Sequence, residues 1–322
     1  MPIPEILRGR LRLPVIGAPM FIVSTPQLVL AQCRAGIVGS FPALNARPAS
    51  QLDDWLAQIT EELANFQRAN PHLKVAPFAV NQIVHASNNR LEEDVSLCVK
   101  HKVPIIITSL RPPAEVVAAV HGYGGIVFHD VINLRHAEKA AAQGVDGIIA
   151  VCAGAGGHAG VLSPFALVKQ IREVYAGTII LSGAMSSGAD ILASRALGAD
   201  LAYLGTRFIA TEEGNAPPEY KQMLVDSAAE DILYTSLFSG VLGNYLRASV
   251  ARAGLDPDHL PEADKTKMNF GTGGNTAAKA WRDIWSAGQS VSGIHGIEAV
   301  ETLVARMEGE YAAACDAVRM AV

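Results

Sequence analysis

The chain has 322 residues, 50% of them hydrophobic and 18% charged, with a formal net charge of -5. That supplies one large core, because barrels of roughly 250 residues or more fold as a single unit. A mildly acidic chain without a long Lys/Arg cluster is not drawn to nucleic-acid phosphates or anionic lipid, so neither is expected as a partner.

The opening MPIPEILRGRLRLPVIGAPM carries positive charge but no continuous apolar core, so no signal peptide is expected. No window reaches the roughly 18 apolar residues that a spanning helix needs. Cys33, Cys98, Cys152 and Cys315 are scattered, with no C-x-x-C pair, which fits reduced thiols and a cytoplasmic setting.

Short β-branched runs then alternate with helical stretches. The first run is residues 14–20, PVIGAPM, followed by a helix opening at Thr25-Pro26 and ending at Gly36. Residues 37–41 (IVGSF) precede a long amphipathic stretch, 50–70. Residues 76–83 (APFAVNQI) and a helix over 88–101 come next, then strand 104–110 (PIIITSL) and helix 113–120. The fifth strand is 125–131 (GIVFHDV), with a helix over 133–144. The sixth is 147–153 (GIIAVCA), before a helix from Ser163-Pro164 to Tyr175. Residues 178–185 (TIILSGAM) and helix 187–198 form the seventh unit, and 201–208 (LAYLGTRF) is the eighth strand, with helical pattern resuming at Pro218.

Eight strand–helix units are the number that closes a (β/α)8 TIM barrel. Strands apolar on both faces suit parallel strands covered by helices. A doubly wound open sheet is the rival architecture, and it usually has fewer strands. Residues 230–292, which include PEADKTKMNFGTGGNTAAKAW, break the rhythm and read as an insertion capping one barrel end. The expected division is therefore a barrel from 1–229 and 293–322 with a lid at 230–292, closed by a helix over 295–322.

In such a barrel the active site lies where the strands end. The residues to read are Ala18-Pro19-Met20, Phe41, Asn81-Gln82, Ser109, His129-Asp130, the 152–160 loop, 182–185 and Gly205-Thr206. The most informative is AGAGGHAG, residues 153–160. Its glycines let backbone approach a flat ligand, and His158 can act there as acid, base or hydrogen-bond donor. Read blandly, it is a tight turn with an incidental histidine. Ser182-Gly183-Ala184-Met185 and Gly205-Thr206-Arg207 follow strands seven and eight, where many barrels hold a phosphate on backbone amides. Tight strand-end packing is the bland alternative. Arg207 can serve a phosphate or a structural ion pair. With no G-x-G-x-x-G opening a βαβ unit and no G-x-x-x-x-G-K-[ST], a bound phosphate belongs to FMN or to a phosphorylated substrate. No ligand cluster suggests a metal. His85, His101, His121 and His136 read as surface histidines, and Cys152 as core packing.

PVIGAPM, AVN, GVDGIIAVCAGAGGHAG and LSGAMSSGADILASRALGADLAYLGTRFIAT together resemble the nitronate monooxygenases, once called 2-nitropropane dioxygenases, over about residues 14–211. The resemblance implies an FMN-binding TIM barrel. It implies that Pro19, Met20 and Phe21 run beside the flavin ring, that Asn81 lies near it, and that Gly156 contacts it through backbone. Gly183, Ala184, Met185, Gly205 and Thr206 match the phosphate-binding loops, and His158 the active-site histidine. Two departures stand out. Some relatives carry a lysine after the strand-five histidine, where it helps bind FMN; this chain has Asp130, which supplies no positive charge. The region after Glu230 lacks the tyrosine- and lysine-bearing motif of well-characterised nitronate oxidisers.

The implied reaction is oxidation of an alkyl nitronate or nitroalkane by O2 to a carbonyl compound and nitrite. The alternative is an FMN-dependent NAD(P)H:quinone or enoyl-thioester reductase. A barrel isomerase or aldolase on a phosphorylated substrate is a third class, weakened for the Schiff-base kind by the absence of a strand-end lysine. A non-catalytic binding barrel is the fourth. Monomer and homodimer are equally compatible with a barrel's outer helices.

Overall fold

The structure, a computed structural model, describes residues 3–111, 113–238, 240–260 and 284–320. Strand β1 (Val15–Gly17) is followed by α1 (Pro26–Arg34), β2 (Gly39–Pro42) by α2 (Gln51–Ala69), and β3 (Phe78–Val84) by α3 (Leu91–Lys100). Next come β4 (Ile105–Leu110) with α4 (Ala114–His121), and β5 (Ile126–Val131) with α5 (Leu134–Ala142). After β6 (Gly147–Val151) a two-residue strand, β7 (Gly157–His158), precedes α6 (Pro164–Val174). The seventh and eighth barrel strands are β8 (Thr178–Ser182), before α7 (Gly188–Ala196), and β9 (Leu201–Leu204), before α8 (Thr206–Ile209) and α9 (Pro218–Val225).

The eight barrel strands pair in parallel in the order β1-β9-β8-β6-β5-β4-β3-β2. The ends meet: Ile16 bridges Val38 in parallel, and the Gly17 amide donates to the Val38 carbonyl at 2.8 Å. The sheet is thus a TIM barrel, as its eight-fold alternation predicts. Side chains alternate across it. Ile16, Ala79, Ile107, Phe128, Ile149, Ile180 and Leu201 form a buried cluster inside the barrel. Val15, Val80, Ile106, Val127, Ile148, Ile179 and Ala202 belong to the outer core beneath the helices.

Local chemistry sets the helix starts. Proline occupies the first turn of α1 and α6, where its missing N–H costs nothing. Asn133 caps α5 by accepting the His136 amide at 2.9 Å. Ser187 and Asp190 form a reciprocal capping box on α7.

Three expectations need correction. The eighth strand stops at Leu204: after the apolar LAYL the chain turns at Gly205 into α8, whose buried Phe208 extends the apolar pattern without extending the strand. The closing helix, α11 (Val300–Met320), begins five residues later than expected. Glu298 is held extended by a bridge to Thr211, and the Glu213 carboxylate accepts the Val300 amide at 3.0 Å. Finally, the segment around His158 is a strand rather than a free loop. β7 pairs antiparallel with β11 (Gly243–Leu246), which pairs with β10 (Ile232–Thr235), and α10 (Arg247–Arg252) follows. Of the segment 230–292, residues 261–283 lie outside the described residues.

Candidate active site

A cavity of about 650 Å3 opens where the barrel strands end. Pro19, Met20, Phe21, Asn81, Gly156, His158, Gly183, Ala184, Met185, Gly205 and Thr206 all line it. These positions span most of the barrel sequence, so the closed sheet is what brings them together.

One wall is made of backbone. Gly154 and Gly157 have φ of 82° and 68°, conformations that side chains rarely allow. Gly183 has φ of 144°, and a Cβ there would lie 2.9 Å from the Ala153 carbonyl oxygen. Ala184 adopts φ of 52° despite its side chain, a strained turn at the end of β8. A Cβ on Gly156 would sit 2.8 Å from Thr206 Oγ1 and 2.9 Å from the Gly288 nitrogen. The Gly288 amide donates to Thr206 Oγ1 at 2.9 Å, leaving the hydroxyl proton for another acceptor.

His158 stands on this wall. The residues flanking its strand are held by Asn244, which donates to the Ala155 carbonyl at 2.6 Å, and by the Tyr234 hydroxyl, which donates to the Ala159 carbonyl at 2.7 Å. Burial lowers the imidazole pKa from 6.5 to about 4. The ring is therefore neutral at pH 7, a hydrogen-bond donor or a base rather than a cation.

The opposite wall is made of side chains. Asn81 Nδ2 donates to Ser109 Oγ at 3.0 Å and to the Ile107 carbonyl at 3.2 Å. Ser109 Oγ donates to Asp130 Oδ2 at 2.6 Å. Burial raises the Asp130 pKa to about 6 against the pull of that bond. His129, next in sequence, lies among the outer core side chains and bonds the Thr108 hydroxyl at 2.8 Å, so it does not reach the cavity.

Sequence reasoning missed several lining residues. Tyr203 faces inward two residues before Gly205, a place that counting back by strand alternation would have found. His136, read as a surface histidine, reaches the rim from the first turn of α5. Arg47 lies at the rim with its guanidinium 5.2 Å from the Phe21 ring centroid. Tyr220 and Trp285 stack at 4.7 Å, and Arg252 covers the outer indole face at 3.5 Å. No periodicity in the sequence announces that stack. Arg207, left open between two roles, is buried and paired with Glu298, which also binds Arg306 at 2.8 Å. It is a structural ion-pair partner and does not line the cavity. Cys152 is buried, its thiol pushed up to about 12, and it packs in the outer core.

The nitronate monooxygenase family profile matches residues 8–307 of this chain. A nitronate monooxygenase from Paraburkholderia phytofirmans is 30% identical over 92% of both chains. This chain belongs to the nitronate monooxygenase family. It is a flavin-dependent oxidoreductase of that family. Solved structures share the fold across nearly the whole length. FabK from Thermotoga maritima superposes with a TM-score of 0.78 at 22% identity, covering 99% of this chain and 98% of that one. The nitroalkane oxidase of Streptomyces ansochromogenes gives 0.77 at 24% identity, covering 97% and 100%. Among the described residues, no helix is long and apolar enough to cross a membrane.

Proposed function

We propose that this member of the nitronate monooxygenase family binds FMN and oxidises alkyl nitronates, or nitroalkanes, with O2 to carbonyl compounds and nitrite. The observation that carries the reading is the placement of a single neutral imidazole, His158, on a glycine wall of a cavity that is otherwise mostly apolar. The wall fits the cofactor: Gly154, Gly156 and Gly183 let neighbouring loops close on one another without side chains between them, which leaves backbone lining the cavity, and the Thr206 hydroxyl has a proton to give. Gly183, Ala184, Met185, Gly205 and Thr206 would hold the phosphate, while Pro19, Met20, Phe21, Asn81 and Gly156 would bound the ring. When bound, FMN supplies the electron acceptor for the substrate and passes the electrons on to O2.

The chain's own residues position and neutralise. His158 donates a ring N–H to a nitronate oxygen, or accepts the α-carbon proton when the substrate arrives as the nitroalkane. The described parts of segment 230–292 act as the lid, with Tyr234, Leu242 and Trp285 excluding water from the reacting side. Four unpaired thiols suit a reducing, cytoplasmic setting.

A second reading rests on the mouth. Ile22, Leu110, Ile132 and Leu242 line it and are each well exposed, an apolar approach wider than a small nitroalkane requires. A quinone or an enoyl thioester would use such an approach, with NAD(P)H as the reductant. Anaerobic mixing of the FMN-loaded protein with propyl-2-nitronate or with NADPH separates the two. Bleaching of the flavin band by nitronate alone supports the first reading, and bleaching by NADPH alone replaces it with the second.

A further inference from the structure

Among the described residues that line the cavity, Asp130 is the one acid. The hydrogen bonds of three neighbouring strands run toward it: Asn81 of β3 donates to Ser109 of β4, which donates to Asp130 Oδ2 on β5. The chain stops there. Oδ1 is buried and has no hydrogen-bond partner among the described residues. A carboxylate oxygen out of water and without a donor is unstable as an anion, and binding a proton relieves it. The surroundings give it no fixed counter-charge. Ile149 of β6 is its register partner, and Val151 of the same strand lines the cavity with it. Tyr203 of β9 is kept neutral by burial, and Asp130's own charge raises it further.

The other titratable groups on the cavity are accounted for. His158 of β7 is lowered to about 4, and His136 of α5 is lowered by burial, then by Lys139 and Arg135. Tyr220 of α9 and Tyr234 of β10 are raised by burial. Arg47 lies at the rim, its guanidinium over the Phe21 ring. Asp130, at about 6, is left as the acid that changes charge close to neutrality.

We propose that Asp130 is a proton-accepting residue of the redox site, taking a proton on its unpartnered carboxylate oxygen when negative charge accumulates on a flavin bound in the cavity, and releasing it when that charge leaves. This rests on the flavin reading above. The electrons come from the reductant and the proton from solvent; one O–H bond forms at Oδ1 and is broken again on reoxidation. As a neutral acid Asp130 donates a hydrogen bond to an electron-rich neighbour. As a carboxylate it would repel one in a dry cavity.

The test is the pH dependence of the reduction potential of the FMN-loaded protein, whose slope counts protons taken up with the electrons. Above pH about 6, the unmodified protein should take up about one proton more per two electrons than Asp130→Asn. Ser109→Ala removes the bond that steadies the carboxylate, and should move the proton-coupled window to higher pH. If Asp130→Asn binds FMN and shows the same slope as the unmodified protein, the role of Asp130 is overturned and the flavin reading stands. An unmoved window in Ser109→Ala also counts against it. If the unmodified protein binds no FMN, the flavin reading falls and this inference falls with it.

Discussion

The loops after β6, β8 and β9 meet the cavity with backbone and one imidazole, whereas strands β3, β4 and β5 meet it with a chain of hydrogen-bonded side chains. The same burial acts on both walls, yet it moves their titratable groups in opposite directions. It lowers His158 to about 4 and raises Asp130 to about 6. Each shift favours the uncharged form, since a dry site penalises whichever state carries charge. The contrast teaches a division of labour. On the reading proposed above, the glycine wall lets a large planar group approach and the polar wall holds a proton beside it.

The largest expected effect comes from removing the imidazole. His158→Ala should lower turnover by about 10²- to 10⁴-fold while leaving FMN bound, because a positioned acid or base is worth that much. Steady-state rates with nitronate check it, and unchanged turnover would remove His158 from the chemistry. Next in size is Gly183→Val. A branched Cβ would have to sit 2.9 Å from a carbonyl oxygen at φ of 144°. Strain of about 1–3 kcal/mol should cost roughly ten- to a hundredfold in FMN affinity, read by fluorescence titration. Wild-type affinity would mean that the glycine wall is not the phosphate cradle.

The smallest effect is on stability, measured without cofactor as the thermal midpoint against pH. The pKa of His158 is lower folded than unfolded, so its contribution is lost as pH falls from about 6.5 toward about 4. That of Asp130 is higher folded than unfolded, so its contribution is present at low pH and is lost as pH rises through about 6. The two oppose each other between pH 4 and 6. Asp130→Asn should steepen the fall in midpoint on acidification and His158→Ala should make it shallower, by about a few °C each. Parallel curves for both variants would show that the two walls do not share one dry environment.

Much of the barrel could be read from the sequence, and the reason is physical. Parallel strands buried on both faces leave continuous apolar runs, and covering helices leave period-3.6 patterns between them. The glycine wall was legible for a similar reason: φ values above zero at Gly154, Gly157 and Gly183 demand residues without a Cβ, and that demand is written in composition. The polar wall was not. Asn81, Ser109 and Asp130 could each be placed at a strand end, but their hydrogen-bond chain depends on how three strands are staggered. The eighth strand was overextended because Phe208 is as apolar on a short helix as it would be on a strand. The stack of Tyr220 on Trp285 joins segments far apart in the chain, so no local spacing foretells it.

Strand β1 is three residues long, and its neighbours are Val38 on one side and β9 on the other. Val15 pairs with Ala202, so the barrel's first strand has one of its two partners only when its last has been made. During synthesis, β8 can be complete and the His158 loop extruded while both edges of the growing sheet are still open. Such edges are templates for pairing with other chains, and pairings this distant in sequence form slowly. A ribosome-bound chain that ends before Leu204 therefore carries the glycine loop without a barrel to aim it. The cavity, which gathers residues from Ala18 to Ser290, is therefore complete only after that closure, and chaperone protection is expected to matter most before it.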